Sequence, residues 1–237
     1  MLDATTKDTA LKSLSQYLNV EPSYLSQTLR EIQISEACDP AEYLLSYVES
    51  EFGEIQQLPK GVWFHGSRVQ SPKTFWDSGI CTKSDMLEEL YSYLKKLSKD
   101  IPYDGEYKSG MTISERESFG KIDEGPFAYL FRDECFSSET GERDYTKMPE
   151  LVQDIAGELC GENNYPKLLD IFTRNTVPCI VHFHHLLSDY EISRFIHFVY
   201  LNSRNSNFSD VISLTSCQVN FRGDSIEASR ILKVEEL

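Results

Sequence analysis

The stretch Val62-Trp63-Phe64-His65-Gly66-Ser67-Arg68 decides how the rest of the chain is read. The break Pro59-Lys60-Gly61 is followed by three large apolar residues, which predicts a short buried strand running into His65. A glycine directly after the histidine marks a place where backbone and another group approach closely. C-terminal to it, Gly79-Ile80 makes a turn, and Ser84 to Leu97 carries Met86, Leu87, Leu90, Tyr91 and Leu94 on one face, an amphipathic helix with Ser84 as its cap. Residues 98–123 lose all periodicity, with Gly105, Gly110 and Gly120 set among charges, and read as a long functional loop.

Beyond the loop, residues 125–131 read as a strand, 148–159 as a helix and 178–187 as a strand. Residues 191–201 are too densely apolar to separate helix from strand. In the tail, 211–214, 217–221 and 230–234 read as strands interrupted by Gly223-Asp224. On the N-terminal side, Leu11, Leu14 and Leu18, then Leu25, Leu29 and Ile32, then Tyr43, Leu44, Tyr47, Val48 and Phe52 form three helical stripes, the last opened by Asp39-Pro40. The fold class expected is therefore α+β, a helical N-terminal segment over 1–58 followed by a mixed domain over 59–237.

Composition narrows the function classes. The chain has 237 residues, 40% of them hydrophobic, and a formal charge of −15 from 38 acidic against 23 basic residues. Such a field repels phosphate backbones unless a basic patch is locally concentrated, so indiscriminate nucleic-acid binding is disfavoured, and the first two helices, whose second carries only Arg30 as a cation, lack the basic surface of a DNA-reading pair. A basic protein partner or a small ligand suits the charge better. Six cysteines stand singly, with no disulfide or zinc spacing. No apolar run reaches the length of a membrane span and the first residues lack a leader pattern, which places the expectation in the cytoplasm, away from membranes. His182 and His184 share a strand face, but no third ligand at a diagnostic spacing accompanies them, so no metal site is expected.

The motif around His65 resembles the opening of the ADP-ribosyltransferase fold, in particular the diphtheria-toxin and poly(ADP-ribose) polymerase branch. There an aromatic-His-Gly-[Ser/Thr] strand end precedes a helix, a variable loop and a strand of the form Gly-x-aromatic-Phe-Ala. Here Gly125-Pro126-Phe127-Ala128-Tyr129 stands in that last place, and the likeness extends over residues 62–237. It implies an ADP-ribosyltransferase-like split β-sheet, with NAD as substrate. His65 would bond a ribose hydroxyl, Gly66 and Ser67 would meet the nicotinamide amide, and Arg68 or Arg116 would face the diphosphate. Tyr129 would stack on nicotinamide, with Tyr145 as its alternative.

The third family motif departs from the pattern. Aligned by its ending, the tail puts Gln218 where family members carry a catalytic glutamate, and Glu227 is a nearby carboxylate. An amide keeps a hydrogen bond and lacks the charge that steadies an oxocarbenium-like transition state. Two functions follow from the resemblance. One is an NAD-dependent ADP-ribosyltransferase acting on a protein or nucleic-acid acceptor, in the manner of a toxin or defence enzyme. The other is an inactive relative, an antitoxin or immunity protein, binding a basic partner.

Overall fold

The computed structural model describes residues 1–34, 39–120, 124–136 and 144–237. Its described part is α+β. The helices are α1 (Lys7–Leu18), α2 (Pro22–Glu31), α3 (Pro40–Phe52), α4 (Lys73–Ser78), α5 (Lys83–Leu97), α6 (Ile113–Ser118), α7 (Glu150–Cys160), α8 (Tyr165–Arg174), α9 (Asp189–Ser203) and α10 (Phe208–Thr215). The strands are β1 (Lys60–Val69), β2 (Phe127–Tyr129), β3 (Val177–Leu186), β4 (Gln218–Asn220) and β5 (Ile231–Glu236), ordered β4-β2-β1-β3-β5 in one antiparallel sheet. Strand β1 pairs with β2 so that Phe64 lies opposite Tyr129. Among the described residues, no helix is long and apolar enough to cross a membrane.

Side chains next to the helix starts fix where several helices begin. Thr6 with Thr9, Thr82 with Asp85, Thr112 with Glu115 and Ser188 with Glu191 form reciprocal capping boxes at α1, α5, α6 and α9. Each box satisfies two backbone donors that the first turn leaves open. Ser84, expected to cap α5, is instead inside its first turn. Thr82 holds the cap by accepting the Asp85 N–H at 3.2 Å.

The chain divides into two compact units. The first comprises Met1–Phe64, Tyr129–Glu142 and Phe183–Gln218. In it, α1, α2 and α3 pack on α9. Helix α9 is buried almost all round, with Ile192, Phe195, Ile196, Phe198 and Val199 enclosed, which is why its sequence shows no period. Phe131 stacks on Phe198 at 4.4 Å between ring centroids. Arg30 of α2 donates through Nε to the Ser203 carbonyl at 2.6 Å, and Leu2 makes a parallel bridge to Gly61. Residues 1–58 therefore pack in the same unit as 183–218.

The second unit comprises His65–Ala128, Arg143–His182 and Val219–Leu237. Its core joins Leu94 of α5 to Val152, Ile155, Ala156 and Cys160 of α7 and Leu168 and Phe172 of α8. The turn at Gly79-Ile80 is held by pairing of Ile80 with Ile226. Gly79 has φ +76° there, and a Cβ on it would fall 1.9 Å from the Ile226 carbonyl oxygen.

Several expected elements differ. Residues 211–214, read as a strand, lie in α10, because a four-residue apolar run shows neither period. The long loop 98–123 contains α6, and α4 and α8 had no sequence assignment.

Removing residues 1–58 would strip the cover from the α9 face, where each large apolar side chain exposed costs about 1.5–3 kcal/mol. The shortened chain is expected to aggregate and to lose its cooperative melt, as calorimetry and gel filtration would report. A soluble, cooperatively folded 59–237 would refute the shared core.

Candidate functional site

The site is built on the second unit, around a cavity of about 190 Å³. Met86, Pro126, Phe127, Tyr145, Pro149 and Leu151 give it apolar walls. Its polar side chains are His65 from β1, Lys83 from the start of α5, Arg116 from α6, Glu124 ahead of β2 and Glu150 from the start of α7.

His65 sits on this wall with its imidazole tied to the neighbouring strand. Nδ1 lies 2.7 Å from the Phe127 carbonyl oxygen. A carbonyl only accepts, so Nδ1 carries the proton and Nε2 keeps its lone pair. Burial pulls the imidazole below its usual pKa, against the smaller opposite pull of the Phe127 bond. The ring is therefore neutral at pH 7 and offers an acceptor nitrogen in a fixed orientation.

Gly66 has a steric role. A Cβ there would lie 3.1 Å from Thr146 Cγ2 and 3.7 Å from Tyr145 Cβ, so the glycine lets the turn carrying Tyr145 press against β1. Asp144 holds that turn by accepting the Thr146 N–H at 3.0 Å and the Lys147 N–H at 3.2 Å. The Ser67 carbonyl accepts from Cys179 Sγ at 3.7 Å. Arg68 spends its donors on the fold. Nε reaches Thr176 Oγ1 at 3.2 Å, Nη1 the Thr146 carbonyl at 3.0 Å, and Nη2 the Thr173 and Thr176 carbonyls at 3.0 and 3.1 Å. It clamps β1, the Tyr145 turn and the end of α8 together, and does not line the cavity.

Arg116 is buried and paired. It bonds Glu150 Oε2 at 2.9 Å and Asp154 through Nε, and these contacts outweigh burial to raise its pKa further. The Asp154 carboxylate also accepts the Met111 N–H at 3.2 Å, so α6 is pinned to α7. Glu124 accepts the Ser84 N–H at 2.8 Å and has Lys83 Nζ 4.0 Å away, while Lys83 Nζ donates to the Arg116 carbonyl at 3.3 Å. Of the cavity residues, Cys81 has its thiol raised by burial, then by Asp85 and Glu89, and so is held protonated. Burial likewise pushes Cys179 up to about 12.

The remaining sequence candidates stand elsewhere. Tyr129 and Gln218 belong to the first unit, where Tyr129 is 2% exposed and its hydroxyl accepts from Gln218 Nε2 at 3.3 Å. Glu227 is exposed in the second unit and accepts from Ser229 Oγ at 3.2 Å. None of the three lines the cavity, and Tyr145 is the tyrosine that does. His182 lies 3.0 Å from Glu235, and among the described residues no group of three His, Cys, Asp or Glu side chains is placed to hold a metal. Lys83, Glu124 and Glu150 had no sequence signal beyond their neighbours, Glu124 lying one residue before Gly125-Pro126. No family model, curated protein or solved structure matches this chain.

Two outcomes follow from this geometry. Arg68→Ala leaves three carbonyls and a hydroxyl without a donor, and is expected to cost about 2–4 kcal/mol in chemical denaturation. A melt equal to wild type would show that the clamp is idle. His65 has a folded pKa below its unfolded value of about 6.5, so it binds its proton more readily in the unfolded chain. Stability is expected to be unaffected by His65 above that pH and to fall as pH drops from there towards the folded pKa. His197, also depressed by burial, adds to the same trend. His65→Gln should flatten part of that slope, as pH-dependent melting would record.

Proposed function

We propose that this chain is an NAD-dependent ADP-ribosyltransferase with a split-sheet catalytic domain, transferring ADP-ribose to a protein or nucleic-acid acceptor. The observation that carries the reading is the state of His65. It is a neutral imidazole in the middle of β1, which runs on past it to Val69, with Nδ1 committed to Phe127, leaving Nε2 as acceptor for a ribose hydroxyl, and Gly66 and the Tyr145 turn packed beside it. The apolar walls suit a flat heteroaromatic ring. At about 190 Å³ the cavity falls below the roughly 300–1,000 Å³ typical of sites enclosing a whole drug-sized ligand. Nicotinamide and the near edge of its ribose fit that space, with the diphosphate and adenosine lying outside it.

In this reading His65 orients the ribose, and Tyr145, in preference to Tyr129, provides the aromatic face for nicotinamide. Arg68 serves the site by holding the Tyr145 turn and not by binding diphosphate. A toxin or defence role is the setting the resemblance brings with it.

A second reading has support of its own. Gln218 carries an amide where the resemblance calls for a carboxylate, and the net charge of −15 favours a basic partner. On that reading the protein is an inactive relative that holds NAD or a basic protein without turnover, as an antitoxin or immunity protein does.

Calorimetry with NAD, with chromatography of released nicotinamide in the presence of cell extract, separates the two. Binding with release supports the transferase, and binding without release supports the inactive relative. His65→Ala is expected to weaken NAD at least tenfold, about 1.4 kcal/mol, while losing one hydrogen bond of about 1 kcal/mol and roughly 2–4 °C of melting temperature. Unchanged affinity in a folded His65→Ala protein would overturn the site.

A further inference from the structure

Breaking the nicotinamide–ribose bond moves the electron pair of the C1′–N1 bond onto the ring nitrogen, discharging the pyridinium and leaving positive charge on the ribose as an oxocarbenium. An acceptor oxygen, water in the simplest case, then bonds C1′ and releases its proton to solvent. The step is helped by a fixed negative charge near the ribose in a site that excludes water. The position the resemblance assigns to that charge holds Gln218, which does not line the cavity.

Two glutamates do line it, Glu124 and Glu150, and their surroundings differ. The Glu150 carboxylate is consumed by Arg116 at 2.9 Å, in a pair whose guanidinium also takes Asp154. Among the described residues, Glu124 meets no guanidinium in its bonds. One oxygen accepts the Ser84 N–H in the first turn of α5 at 2.8 Å, and the other faces Lys83 Nζ at 4.0 Å. Burial raises its pKa, but the Ser84 hydroxyl and N–H and the Lys83 charge more than offset this, and the carboxylate stays ionised below the usual range. The N-terminus of α5 favours the same charge. Glu124 also lies three residues before Phe127, the residue whose carbonyl sets the His65 ring, so one short stretch of chain brings both residues to the cavity.

We infer that Glu124 supplies the negative charge that steadies the oxocarbenium in this cavity, in place of the carboxylate missing at Gln218. The inference rests on the NAD reading above. Its donors hold the side chain in place before substrate arrives, so the charge needs no reorganisation during the step. Glu124→Gln keeps the size and an acceptor for Ser84 and deletes only the charge. Glu124→Asp keeps the charge one methylene further back.

The test uses the full chain, NAD alone as probe, calorimetry for affinity, single-turnover nicotinamide release for rate, and thermal melting to verify folding. Expected are NAD affinity within about threefold of wild type for Glu124→Gln, release slowed roughly a hundredfold, and partial recovery in Glu124→Asp. Release by Glu124→Gln at the wild-type rate would overturn the inference and leave the NAD reading standing. Should Glu124→Gln not fold, Glu124→Asp decides: a slowed release supports the inference, and an unslowed one overturns it. A tenfold gain in Gln218→Glu together with an unaffected Glu124→Gln would return the role to Gln218. Wild type that binds NAD without release overturns the inference, and wild type that binds no NAD removes the reading beneath it as well.

Discussion

The guanidinium of Arg68 ties together backbone from three distant parts of the sequence: its own strand β1, the turn at Thr146 and the end of α8 at Thr173 and Thr176. Everything at the cavity is referred to that tie. It brings the Tyr145 turn against β1, and Gly66 is bare so that the turn can come within van der Waals contact. From the neighbouring strand β2, the Phe127 carbonyl sets the His65 ring. The site is thus a consequence of how β1 is gripped on both flanks, and its side chains are aimed before any ligand arrives. A cation that sequence reading assigned to a ligand proves to be part of the frame.

A second layer of order comes from charge. Arg116, Asp154 and Glu150 form a buried cluster with one cation and two carboxylates. Truncating Arg116 leaves two carboxylates without their cation, which costs more than the cluster contributes net. That helps a stretch as polar as 98–120 keep a defined course: α6 is fastened by the Arg116 ion pairs, and the chain ahead of it by Glu162, which accepts the Lys108 and Ser109 N–H groups at 2.8 and 3.1 Å. Ile101 and Ile113 also pack against the second unit's core, and Tyr107 lies edge-on to Tyr165, while Arg116 is the buried residue of α6.

The sequence was legible wherever one face of an element meets the core. The stripes of α1, α2, α3 and α5 announce themselves because burial is one-sided there, and the start of β1 does so as a short apolar run buried on both faces between breaks. It was illegible where burial is all-round, as in α9, or where the element is too short to show a period, as in α4, α6 and α10. At the site, the Gly-flanked His65 was readable because backbone approach demands a specific residue type. Arg68 was not: a guanidinium bonding carbonyls across more than a hundred residues of chain leaves no local mark. Glu124 and Glu150 were hidden for the same reason, since only the third dimension separates a cavity carboxylate from the many solvated ones among 38 acidic residues.

The route of the chain between the two units bears on how the protein is made and handled. It passes from one to the other at 64/65, 128/129, 142/143, 182/183 and 218/219, so each unit is assembled from three separate segments. Neither can be released by a single proteolytic nick, and neither is finished when the ribosome has passed its first segment. The first unit waits for residues 183–218 and the second for 219–237. Closing such wide loops carries an entropic cost before any contact repays it, which slows folding relative to a chain with local contacts. Until then the apolar stripes of α1 to α3 stand without α9 to cover them. Production at lower temperature or with chaperones present guards that interval, when a nascent chain of this design is most open to aggregation.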